Sequence, residues 1–155
     1  MPSVNVFDDD YEYDPEDPPG YRAGALQISN ALGATALAVK SFLLAPGETV
    51  CPYHYEYEEE WLLVLEGTIV LRTPEGEREL RRGETVVFPP GPAGAHKTSN
   101  RSDGDARLLM FSSAREPGLA VYPDSEKVGV YPGDGADPIL LFRRDGNVGY
   151  YDGET

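Results

Sequence analysis

The chain is poor in the residues that carry most metal, redox and nucleophilic chemistry: its 155 residues include one cysteine, two histidines, two methionines and one tryptophan. A lone cysteine, Cys51, excludes an internal disulfide. It fits a reducing compartment, so a cytoplasmic location is the expectation. Positive charge is scarce too: 13 Lys and Arg stand against 27 Asp and Glu, a formal net charge of −14. Nucleic acids and anionic membranes are polyanions, so neither is an expected partner. No apolar run reaches the roughly 20 residues of a membrane span; the nearest, Ala31 to Ala45, is interrupted by Gly33, Thr35, Lys40 and Ser41. The opening Met1-Pro-Ser-Val-Asn lacks the basic-then-apolar pattern of a secretory signal. Helix-turn-helix and zinc-finger spacings, a phosphate-cradling glycine loop and a Ser-His-Asp order are also missing.

What is present reads as β structure on a single core, as expected for this length. Strands are expected near residues 35–45, 49–55, 60–65, 68–73, 77–81, 85–88, 95–99, 106–113, 119–122, 127–130, 138–144 and 147–151, separated by Gly, Pro, Asp and Asn. Thr73-Pro-Glu-Gly76 predicts a tight turn, and Asp145-Gly146-Asn147 a hairpin between Ile139–Phe142 and Val148–Tyr151. Leu26 to Val39 is rich in Ala and Leu, but Gly33 and Thr35 weaken a helix there. Many short, evenly spaced strands predict an all-β sandwich or closed barrel. Three regions are expected: an acidic, extended N-terminal arm over 1–22, a barrel over 23–122, and a C-terminal extension over 123–155 whose hairpin packs on the barrel or on a second subunit. In the arm, Tyr11, Tyr13 and Tyr21 are candidate anchors.

Both histidines fall in glycine-bounded strand segments, and one of them stands beside spaced carboxylates. Alternate residues of a strand face one side, so His54 and Glu56 point together while Tyr53, Tyr55 and Tyr57 point away. A turn through Glu58 and Glu59 returns Glu60 beside them, and barrel closure brings His96 opposite. Two imidazoles and two carboxylates would then surround one divalent cation at roughly 2.0–2.2 Å. Two ionised carboxylates about 4 Å apart repel by roughly 4 kcal/mol at an effective dielectric near 20, so a proton or a cation must offset them. Mixed N and O donors suit Mn, Fe, Zn, Ni or Co. Cys51 has the opposite parity to His54 and reads as a small core residue, Glu58 and Glu59 as solvated turn residues, and Asn100 as a turn or hydrogen-bonding residue.

These segments resemble the two sequence motifs of the cupin superfamily. Gly47, His54, Glu56, Glu60 and Gly67 fall on the first, and Gly83, Pro89, Gly91, His96 and Asn100 on the second. The chain departs in two respects: Glu56 stands where the family has a second histidine, and the spacers before His54 and His96 are longer by one and two residues. The resemblance implies a double-stranded β-helix, or jelly-roll barrel, with a metal held by His54, Glu60 and His96, and frequent homodimers. Fold alone does not name the reaction. Three readings stand at this point: a metal-dependent enzyme of oxygenase, decarboxylase or isomerase type acting on a small organic substrate; a small-ligand binding or sensing module without turnover; and a metal-free barrel used for assembly.

Overall fold

Glu60–Glu66 forms strand β4, and its period-two alternation buries Leu62 and Val64 on one face while Trp61 lies on the other. Glu60 shares the inward parity of the two buried residues. The same logic builds the rest of the computed structural model, which describes residues 1–8, 10–133 and 138–154. The remaining strands are β1 (Gly24–Leu26), β2 (Leu37–Leu44), β3 (Tyr55–Glu56), β5 (Thr68–Thr73), β6 (Gly76–Arg81), β7 (Thr85–Phe88), β8 (Lys97–Ser99), β9 (Ala106–Ser113), β10 (Gly118–Tyr122), β11 (Lys127–Tyr131) and β12 (Leu140–Arg143). They pair antiparallel in three sheets, ordered β1-β2-β9-β4-β7, β12-β11-β10-β3 and β6-β5-β8. The core fills the space between the five-stranded and three-stranded sheets, with Leu44, Leu62, Val64 and Leu108 from one and Ile69, Leu71 and Leu80 from the other. Each such side chain contributes roughly 1.5–3 kcal/mol on full burial. The result is the expected all-β jelly-roll barrel.

The Thr73–Gly76 turn forms as expected and closes the β5–β6 pair. A short helix, α1 (Ile28–Leu32), occupies the Ala- and Leu-rich stretch and stops at Gly33, whose φ of 67° terminates it in the left-handed region. The hairpin expected at Asp145-Gly146-Asn147 does not form. Arg144–Gly146 makes a single 3-10 turn, and Asn147 is extended at φ −66°. A two-residue primed turn needs positive φ at its centre, which neither Gly146 nor Asn147 adopts. Accordingly, no strand runs through 147–151. β12 pairs instead with β11.

The acidic arm is ordered by what it lies against. The Tyr11 hydroxyl bonds Ser41 Oγ at 2.6 Å, and Arg107 Nη1 donates to Val6 O at 2.5 Å. Glu12 bridges Ala25 through the backbone. Tyr13 packs over Gly24, where an added Cβ would lie 2.7 Å from its ring. Among the described residues no helix is long and apolar enough to cross a membrane.

Candidate metal centre

His54 and His96 are directly opposite each other across an isolated antiparallel bridge. They exchange both backbone hydrogen bonds, His54 N donating to His96 O at 3.1 Å and His96 N to His54 O at 2.7 Å. Such a pair brings two side chains out on one face, and the imidazole centroids are 4.7 Å apart. Glu60, the first residue of β4, reaches the same point from the inner wall. One donor atom from each of His54, Glu60 and His96 lies within 4.8 Å of the others. Glu60 Oε2 is 4.0 Å from His54 Nε2 and 3.9 Å from His96 Nε2. These separations are too long for hydrogen bonds and short enough for one ion to bridge.

The imidazoles are held in the tautomer that a metal requires. His54 Nδ1 donates to Pro52 O at 3.1 Å and His96 Nδ1 to Gly94 O at 2.9 Å. A carbonyl only accepts, so the hydrogen sits on Nδ1 and the Nε2 lone pairs face inward. His96 Nε2 is buried with no hydrogen-bond partner, an arrangement that is costly unless something supplies a positive centre. Phe88 stacks on the His96 ring at 3.7 Å and 7°, and Tyr122 on the His54 ring at 5.9 Å.

Charge and burial oppose each other here. Burial, then His54, lowers the His96 pKa to about 3, and burial lowers that of His54. Both rings are therefore neutral near pH 7 and do not form ion pairs with Glu60. Burial, then the nearby Glu56, raises the Glu60 pKa to about 8. Without a cation the cluster holds a proton instead. The donors present thus fit a divalent ion: two oriented neutral imidazoles, one inward carboxylate and one orphaned ring nitrogen.

Of the four residues singled out from the sequence, the fold brings His54, Glu60 and His96 together. Glu56 stands beside them. Its Oε1 is 3.9 Å from His54 Nε2, but its carboxylate lies outside the three-residue cluster and its side chain is 28% exposed at the rim. Cys51 does not face away from His54. Bends through 50–53 around Pro52 break the strand parity, and Sγ lies 3.5 Å from His54 Nδ1. Burial, then Glu60 and Glu56, pushes this thiol up to about 12. Glu58 is not a free turn residue, since it accepts from the Ser113 hydroxyl and pairs with Arg115 at 3.6 Å. Asn100 is fully buried and ties loops together, donating to Leu44 O at 2.9 Å and Gly104 O at 2.8 Å.

The cluster opens into a cavity of about 460 Å³ whose wall includes Lys40, Phe42, Met110, Tyr122 and Tyr131. None of the five stands out as a site residue from the sequence alone. The hydroxyls of Tyr122 and Tyr131 hydrogen-bond to each other.

A jelly-roll barrel with a buried histidine–carboxylate cluster on its inner side defines the class. Within that class the chain belongs to the cupin family, and residues 41–112 match its Cupin domain. The chain is 30% identical over 103 residues to the tetracenomycin polyketide synthase protein TcmJ of Streptomyces glaucescens, covering 64% of this chain and 68% of that protein. It also resembles the crystal structure of a cupin-superfamily sugar phosphate isomerase from Silicibacter pomeroyi. That match has a TM-score of 0.78 and 26% identity, and it covers 97% of this chain and 98% of the other. The polyketide cyclase RemF of Streptomyces resistomycificus shares the fold, with a TM-score of 0.61 at 22% identity over 74% of this chain and 80% of its own.

Proposed function

We propose that the protein is a metal-dependent cupin enzyme in which His54, Glu60 and His96 hold one divalent transition-metal ion, with Glu56 beside them. Its reaction moves a proton next to a carbonyl of a small organic substrate, as in an isomerase or a cyclase. The observation that carries this reading is the orphaned, buried Nε2 of His96, aimed with that of His54 at an inward carboxylate. The likeness to a sugar phosphate isomerase over nearly the whole chain, and to a polyketide synthase protein over its barrel, supports the reaction class. When bound, the ion supplies Lewis acidity toward a carbonyl oxygen. The chain's own groups do the rest. Phe42 and Met110 offer an apolar wall against which a substrate can pack, while the Tyr122 and Tyr131 hydroxyls present hydrogen-bonding groups beside it. A homodimer that covers the exposed side chains of β12 is part of the same proposal.

Elemental analysis tests the ion. About one equivalent per chain is expected in the wild type, with a sharp loss in His96→Ala and a lower melting temperature after chelation. Unchanged metal content in His96→Ala would defeat the assignment. Incubating the loaded protein with aldose and ketose phosphates in D2O tests the chemistry. Deuterium should enter beside the carbonyl with the wild type and not with Glu60→Gln.

A further inference from the structure

Strand alternation places one cation on the inner face of β2, among apolar neighbours on the same strand. The inward positions of β2 are Ala38, Lys40, Phe42 and Leu44. Leu44 is fully buried in the core, and the other three line the cavity. Across β9, Lys40 is in register with Met110 and Leu62, while Ala38 is in register with Ser112 and Glu60. Lys40 therefore starts one row closer to the core than Glu60, on the same face, and the residue remains exposed within the cavity. Its stem can run along the apolar wall while the ammonium stays hydrated.

Inward lysines protect open sheet edges in some proteins, but beside Lys40, past the last β1 pair at Ser41, the outer side of β2 is bonded by the Ser29 hydroxyl, which donates to Leu37 O and accepts from Val39 N. Lys40 forms no ion pair among the described residues. The other cation on the cavity wall, Arg115, is already engaged by Glu58 at 3.6 Å. Lys40 lines the same cavity as Glu56 and Glu60. A divalent ion among the neutral imidazoles would balance those two carboxylates. Among the described residues the ammonium would then be the one cation of the cavity wall without an acidic partner, and Glu116 the remaining unpaired carboxylate.

We propose that Lys40 determines specificity, its ammonium selecting a substrate that carries an anionic oxygen group, carboxylate or phosphate. This rests on the metal-centre reading above. Losing a charge-assisted contact of this kind weakens binding by about ten-fold or more.

The test uses manganese-loaded full-length protein, with inorganic phosphate and acetate as probes read by 31P and 13C line broadening. Saturable broadening is expected for the wild type, and whichever probe binds tighter identifies the group. Lys40→Met should weaken that probe at least ten-fold with unchanged manganese content and melting temperature, Lys40→Arg should restore most of the affinity, and Arg115→Gln should change little. Wild-type affinity in fully loaded Lys40→Met, an equal loss in Arg115→Gln, or no broadening in loaded wild type would overturn the role of Lys40 alone. Failure of the wild type to hold manganese would overturn the metal centre and this proposal together.

Discussion

His96 and Glu60 are ordinary titrating groups displaced in opposite directions by the same burial. Metal-free protein should therefore have a skewed stability profile. The Glu60 carboxyl moves from 4.5 to about 8, so the folded state holds this proton more tightly than the unfolded chain does. Stability present below pH 4.5 is lost as the pH rises toward 8. His96 moves from 6.5 to about 3, so the unfolded chain takes up that proton, and stability falls as the pH drops from 6.5 toward 3. Between pH 6.5 and 8 the Glu60 effect stands without opposition from His96. Thermal melts of metal-free protein should fall over that interval, and Glu60→Gln should flatten most of the fall; an equally steep fall in the variant would refute the displacement. The residues of this cluster were legible from spacing because parity and turn length are local. Cys51 was misread because Pro52 breaks the parity it was judged by. Lys40 was passed over because an inward charge is recognisable only once the faces of β2 are known.

At the level of elements, β4 and β9 show how a motif glycine acts. Their register shifts between Val64 and Glu66, and the chain then turns through Gly67 at φ 75°. A Cβ there would lie 2.5 Å from Asp105 O and 2.9 Å from the Ala106 Cα. Both the left-handed backbone and the missing space demand glycine. Gly67→Ala should cost about 1–3 kcal/mol, measured by urea unfolding; a midpoint unchanged from wild type would show that the loop relaxes freely. Most strands were readable because alternation and turn residues lie within a few positions of each other. β1 was not, since three residues become a strand only through pairing with β2 and Glu12, contacts distant in sequence. The tail hairpin failed for the converse reason: its turn residues were present, but Asn147 adopts extended backbone there.

For the whole molecule, the strong acidity read from composition coexists with an apolar tail. β12 lies at the edge of its sheet, and Leu140, Leu141 and Phe142 are 41%, 56% and 53% exposed. Exposed apolar residues on an open edge are unusual for a monomer. If the proposed homodimer covers them, light scattering should give twice the chain mass, and Leu141→Glu should return it to the monomer; a wild-type monomer at high concentration would remove the dimer. The backbone bridge between His54 and His96 has one more consequence. The two rings ride on amides that lock each other, from segments far apart in the sequence. An ion held between the rings would work as a rivet, joining the two segments and slowing their separation. Solvent exchange at just those two amides would therefore report whether the rivet is in place.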